Sequence, residues 1–293
     1  MLYTKEEIDF EEWDNFVLKQ EGTIFSTTSY LQACSENWMV YWEKENQFGI
    51  ALPYTEKLGV RTLYQPFFSR YQEFLGQTKD LNNVLNTLKV HFKRSLVALR
   101  VANIKEEVAA YTHQVIEKKD RQLSTNAKRQ IKKFLKNEYT LTEEVESEKL
   151  ILLIKTELSK KLAVFSGAQA KVFGKLVNEL QSNGYLKAKG IIKKYELVGG
   201  VFYMDFGDRV IYLKGACKQQ VKEDGGMYYL LNTVIEETLS NYKLFDFGGS
   251  RVENVRNFNK KLGGVDQKYL AIHWDNSPIW FKLAQRIRKW IKK

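Results

Sequence analysis

The stretch from Gly199 to Tyr269 constrains this chain most, because its turn, strand and helix signals alternate at short intervals. Residues 201–204 and 210–213 are apolar and β-prone, and Gly207 and Asp208 between them suit the primed turn of a hairpin. A polar loop follows, and then Gly225 and Gly226 open an apolar-periodic run over 227–239. Residues 244–247 read as a short buried strand stopped by Gly248 and Gly249. Ser250 is placed to cap the next helix, with Glu253 at capping-box spacing. That helix ends near Gly263, and 268–274 reads as another strand. This order sets the amides of a helix start beside a strand end, an arrangement that can hold an anion.

The runs 209–216 (RVIYLKGA), 225–231 (GGMYYLL), 245–250 (FDFGGS) and 257–263 (NFNKKLG) resemble the GNAT-like half of Fem-type transferases. They are closer still to uncharacterised bacterial acyltransferase-like relatives with a DF-x-GS signature. The resemblance covers residues 115–275 well and 1–110 thinly. It implies an α/β (α+β) protein of tandem GNAT-like domains, with mixed sheets flanked by helices. It also implies an N-acyltransferase that moves an acyl or aminoacyl group from acyl-CoA or aminoacyl-tRNA to a small-molecule or peptidyl amine.

The first third reads as helix, helix, strands, helix. Residues 6–20 carry Ile8, Trp13, Phe16 and Val17 at helical spacing. Residues 26–29 can cap a short helix, 39–43, 48–54 and 61–67 read as strands, 81–92 as a helix and 96–101 as a strand. Further on, 150–162 and 168–180 read as helices, and 185–192 and 196–206 as strands. The domains expected are a diverged N-terminal lobe over 1–112, a C-terminal lobe over 113–277, and a basic amphipathic helix over 278–293. Within the second lobe, 124–137 reads as a basic helix capped near Ser124. Ala127, Ile131, Phe134 and Leu135 form its apolar face, and Lys128, Arg129, Lys132, Lys133 and Lys136 cover the rest.

Net charge is +11, from 46 basic and 35 acidic residues, which favours anionic partners such as nucleotides, tRNA or an anionic membrane face. No apolar run approaches the roughly 18 residues that a spanning helix needs. The start of the chain lacks the apolar core of a signal peptide, so a cytoplasmic protein is expected. Its closing segment offers peripheral contact with the inner membrane face. There Ile279, Leu283, Ile287 and Trp290 lie near one helical face among Lys and Arg, and the same face can equally dock on the protein. Cys34 and Cys217 give no disulfide framework. His91, His113 and His273 show neither metal spacing nor a hydrolase triad, so no metal site is expected.

Gly225, Gly226, Met227 and Lys222 form the candidate donor-anion site, although Q/R-x-x-G-x-G/A, the GNAT pyrophosphate motif, is absent. Strand alternation puts Tyr212 and Lys214 on one face, where Lys214 could neutralise a phosphate or oxyanion. The plainer reading has Tyr212 in the core and Lys214 solvated at an edge. Asp246, between two phenylalanines, either accepts amide hydrogen bonds from the next loop or orients the acceptor amine. Lys214, Asp246 and Tyr212 are thus the catalytic candidates. Tyr64, Arg70, Tyr71 and Arg129 are the substrate-binding candidates. Two rivals stand beside the transferase: a non-catalytic ligand-binding protein of the same fold, and a membrane-surface or nucleic-acid adaptor.

Overall fold

A computed structural model describes residues 1–77, 80–100, 109–117, 121–159, 167–241, 243–249 and 252–291. The chain divides into two compact units, Met1–Tyr111 with Tyr269–Lys293, and Thr112–Lys268.

Unit 1 opens with β1 (Leu2–Thr4), α1 (Phe10–Lys19), a single 3-10 turn and α2 (Thr28–Cys34). Helix α1 starts later than the apolar spacing suggests because the Asp9 carboxylate caps it, accepting from the Glu12 amide. Trp13, Phe16 and Val17, at i, i+3 and i+4, are the positions it buries. Strands β2 (Asn37–Glu43), β3 (Phe48–Lys57) and β4 (Val60–Tyr64) form an antiparallel meander with β1. Strand β4 stops at Tyr64, short of the expected end at residue 67. Next come β5 (Gln72–Glu73), α3 (Leu81–His91) and β6 (Arg94–Arg100). Leu85, Leu88 and Phe92 pack with Ile50, Leu52, Leu63 and Val97 into this unit's core.

Strand β7 (Ala109–Ile116) leads into unit 2. There α4 (Thr125–Phe134), β8 (Thr140–Thr142), α5 (Ser147–Ser159) and α6 (Ala168–Ser182) precede β9 (Leu186–Lys193), β10 (Glu196–Phe206) and β11 (Arg209–Cys217). The expected hairpin is present, with Gly207 at φ +59° and Phe206 opposite Arg209. The polar loop after it holds a short helix, α7 (Gln219–Glu223), ahead of α8 (Gly226–Ser240) and β12 (Leu244–Asp246). Helix α9 (Glu253–Lys261) begins after Val252, whose side chain makes no capping bond; the expected cap, Ser250, lies outside the described residues. Strand β13 (Val265–Asp275) and α10 (Ile279–Ile291) close the chain. The sequence puts this last strand in the second lobe, but residues 270–275 pair antiparallel with β6 and so belong to unit 1.

The two units share a strand plan. In unit 1 the meander ends in β4, which pairs parallel with β6, and β13 lies antiparallel beside β6. In unit 2 the meander β8–β9–β10–β11 ends in a parallel pair with β12, and β7 lies antiparallel beside β12. A helix joins the parallel strands in both cases, α3 in one and α8 in the other. The mixed sheets flanked by helices define an α/β fold of two GNAT-like halves.

Candidate functional site

The two parallel strand pairs differ beyond their last paired residues. In unit 2 the ladder runs only over Arg209–Leu244, Val210–Phe245 and Ile211–Asp246. Strand β11 then continues to Cys217 with no further β12 partner among the described residues. A parallel pair that parts in this way leaves main-chain donors and acceptors along one strand edge.

A bulge lies at that point. Phe202 pairs with Lys214, but Tyr203 pairs with Tyr212, so Leu213 is an extra residue in β11. Directly opposed residues share a sheet face, and an extra residue reverses the alternation beyond it. Tyr203, Val210 and Val201 belong to the core cluster under Leu230, Leu231 and Val234 of α8, and Tyr212 packs against it. Phe202 meets Phe173 of α6, with ring centroids 6.1 Å apart. Lys214, opposite Phe202, therefore faces the α5–α6 side while Tyr212 faces α8. The expectation that alternation puts them on one face fails because of Leu213. Tyr212 is a packing residue whose burial pushes its phenol well above the usual value. Lys214 is half-buried, and burial lowers its ammonium below the ordinary lysine value.

Asp246 shares the Lys214 face, since its neighbours Phe245 and Phe247 lie in the α8 cluster. It is 0% exposed. One carboxylate oxygen accepts from Arg209 Nη1 at 3.1 Å. The other accepts from the Gly248 amide at 3.0 Å and lies 3.4 Å from His113 Nδ1. Gly248, at φ +74°, supplies the turn that brings its amide back to the carboxylate. Asp246 thus has the loop-amide partner expected of it, plus an arginine and a histidine that lie far away in sequence. These contacts fix the end of the β11–β12 ladder. Cys217, by contrast, is a neutral thiol: burial pushes its pKa to about 12.

Packing accounts for the glycines that open α8. Gly225 adopts φ +88°, and a methyl group there would sit 2.2 Å from the Gln130 carbonyl oxygen of α4. A methyl at Gly226 would lie 2.5 Å from Val221 Cγ1. Asp224 before them accepts from the Tyr139 hydroxyl at 2.9 Å and Gln220 Nε2 at 3.1 Å, and lies 3.4 Å from Lys133 Nζ. Met227 packs against the α8 cluster, and Lys222 is exposed on α7.

Helix α4 buries Ala127 and Phe134 and is capped by Ser124, whose hydroxyl accepts from the Ala127 amide at 3.1 Å. Phe134 stacks on Tyr229 of α8 at 4.6 Å and on Tyr139 at 5.1 Å. Leu135, expected on the apolar face, is exposed because the helix has ended. The outer surface carries Lys128, Arg129, Lys132, Lys133 and Lys136 along an open hollow of about 730 Å³. Arg129 donates to Asn126 at 3.1 Å and is otherwise turned outward.

The remaining candidates lie in unit 1. Tyr64 is half-buried and donates to Ser35 Oγ at 3.0 Å. Arg70 and Tyr71 are interior: the guanidinium lies over the rings of Phe25 and Tyr71, and Tyr71 also meets Tyr269. The matching strand gap in this unit is filled. Beyond Tyr64–Leu96, Gln65 Oε1 accepts from the Ala98 amide at 3.2 Å, and β5 pairs with Leu99 and Arg100.

The chain shares its fold with Fem-type and tandem GNAT structures. A crystal structure of FemX superposes with a TM-score of 0.66 at 11% identity, over 90% of this chain and 96% of that one. L-PGS from Bacillus licheniformis matches with a TM-score of 0.59 at 11% identity, over 96% of each chain. A tandem GNAT protein from the clavulanic acid biosynthesis pathway matches at 0.50 and 9% identity, over 95% of this chain and 99% of that one. No family model matches the chain, and no curated protein matches its sequence. At these identities the likeness is one of fold.

Proposed function

We propose that this chain transfers an aminoacyl group from aminoacyl-tRNA to an amine. The observation that carries the reading is the Leu213 bulge, which turns Lys214 onto the Asp246 face where β11 and β12 part. The donor's ester carbonyl sits at that parting, and β11 main-chain groups hold it. The acceptor nitrogen attacks the carbonyl carbon, a C–N bond forms, and the bond from that carbon to the ribose oxygen breaks. The proton lost by the amine ends on the ribose hydroxyl. The Lys214 ammonium, lowered by burial, stabilises the oxyanion and protonates the leaving oxygen. Asp246 acts by position, since both its oxygens are engaged. Holding two reactants in register removes about 7–11 kcal/mol of barrier, more than a dedicated base supplies.

Helix α4 favours the nucleic-acid donor over coenzyme A. Five cations line an open surface about 12 Å long, while the glycine corner packs against protein. The test is transfer from a set of radiolabelled aminoacyl-tRNAs, with acyl-CoA in parallel, by the wild type and by a Lys128→Glu, Arg129→Glu, Lys132→Glu variant. We expect tRNA binding whose log-log salt slope falls by roughly 2–3 in the variant. Transfer from acyl-CoA that the variant retains in full, with no tRNA binding by the wild type, overturns the donor assignment. No transfer from either donor overturns the enzyme.

A further inference from the structure

Helix α10 is amphipathic, and a helix of this kind normally seats its apolar stripe on its own protein. Here the stripe is turned the other way. The helix is held in unit 1 by Phe281, which is 3% exposed, by Gln285, which accepts from Arg94 Nη1 at 3.0 Å, and by Lys282, whose ammonium lies 3.3 Å from the Asp275 carbonyl oxygen. The Pro278 carbonyl accepts from the Phe281 and Lys282 amides, and the Ser277 amide donates to Asp275 at 3.1 Å, so the first turn is anchored. On the opposite side Ile279 is 78% exposed, Trp280 52%, Leu283 50%, Ile287 60% and Trp290 85%. At about 100° per residue these five fall within roughly 100° of one another, a continuous stripe about three turns long.

The charge beside the stripe says what covers it. Lys282 and Arg286 are exposed on its flank. In the sequence, Lys282, Arg286, Arg288, Lys289, Lys292 and Lys293 supply six cations after Pro278, and no Asp or Glu follows Asp275. An outward apolar stripe with tryptophans, bordered by cations alone, fits a surface that is apolar below and anionic above. We propose that α10 lies in the interface of an anionic lipid bilayer, apolar stripe down, and so holds unit 1 against the membrane. A second copy of the chain would bring six like charges against six, which disfavours self-association through this face. No helix among the described residues is long and apolar enough to cross a membrane, so the contact is peripheral. The inference stands on α10 alone and is independent of the transfer chemistry.

Flotation of the full-length protein with vesicles of phosphatidylglycerol and phosphatidylcholine at 1:1, against pure phosphatidylcholine, tests it. We expect at least ten-fold preference for the anionic vesicles, weakened by raising salt. A Leu283→Asp, Ile287→Asp variant should lose at least ten-fold in partition with its thermal midpoint unchanged, because both side chains are exposed. An Arg286→Glu variant should weaken the preference for anionic lipid. Wild-type protein that stays unbound overturns the proposal. So does Leu283→Asp, Ile287→Asp protein that still floats. Light scattering that shows a dimer abolished by the same pair, without lipid binding, assigns the stripe to a second copy instead.

Discussion

The two halves of this chain reach the same strand plan and then treat its weak point differently. In unit 1 the parallel pair β4–β6 parts after Tyr64, and residues 65–73 close the gap: Gln65 takes the Ala98 amide, and β5 adds itself to β6. In unit 2 the pair β11–β12 parts after Ile211, and the ladder does not resume among the described residues. A bulge instead re-aims Lys214. Both gaps are flanked by a buried carboxylate. Glu73 takes the Thr23 amide and hydroxyl at 2.5 Å each, with Arg100 at 3.5 Å. Asp246 takes Arg209 and the Gly248 amide. The same construction is thus finished as a closed core in one half, while in the other the ladder ends at Ile211–Asp246 among the described residues.

The largest effects test the carboxylates. Glu73→Ala and Asp246→Ala should each destabilise their unit by about 3–5 kcal/mol, since each leaves buried donors uncompensated. Urea unfolding followed by segment-resolved hydrogen exchange separates the units. The sharper experiment replaces the pair at once, Arg209→Met with Asp246→Leu. If Asp246 only stabilises, the apolar pair restores both stability and turnover; we expect stability to return and turnover to stay low. Recovery of both would break the contrast between the halves.

Next is the contrast between Lys214 and Gln65. Lys214→Met should lower kcat by at least about 10²-fold, about 2.7 kcal/mol of barrier, with a small change in the unfolding midpoint. Gln65→Ala should do the reverse: it leaves the Ala98 amide without its side-chain acceptor, costs about 1–3 kcal/mol of stability and spares kcat. An unchanged kcat in Lys214→Met would reduce the bulge to a structural irregularity.

Much of this is legible in the residues. Gly207 between two β-prone runs gives the β10–β11 hairpin, and Ser124 before a periodic run gives α4, because both signals act within a few residues. The bulge is not legible. It depends on which β10 residue faces which β11 residue, and Leu213 looks like any strand leucine. His113 and Arg209 as partners of Asp246 are hidden for the same reason, being 133 and 37 residues away. The exchange of closing strands, in which residues 270–275 pair with β6, leaves no local mark either. The amphipathic pattern of α10 is plain, but only packing decides whether Phe281 or the Ile279–Leu283–Ile287 stripe is buried.

The smallest effect separates the halves by acid. In unit 2, burial opposes ionisation of Asp224, but hydrogen bonds from Gln220 and Tyr139 and the Lys133 ammonium outweigh it and hold the carboxyl below 3.8. Its stabilising contribution is present above 3.8, the value in the unfolded chain, and is lost as pH falls through the lower folded value. In unit 1, burial raises Asp14 above 3.8 despite two hydrogen bonds from Thr28. Its folded form binds the proton more readily than the unfolded chain, so acidification relieves a penalty there. Below pH 4, Asp224→Asn should narrow its stability difference from wild type, whereas Asp14→Asn should lose an advantage it holds at neutral pH. All six tryptophans, at 13, 38, 42, 274, 280 and 290, fall in unit 1, so their fluorescence follows that half, and hydrogen exchange of α4 and α8 follows the other. Equal acid responses in the two signals, unchanged by either substitution, would show that these carboxylates do not distinguish the units.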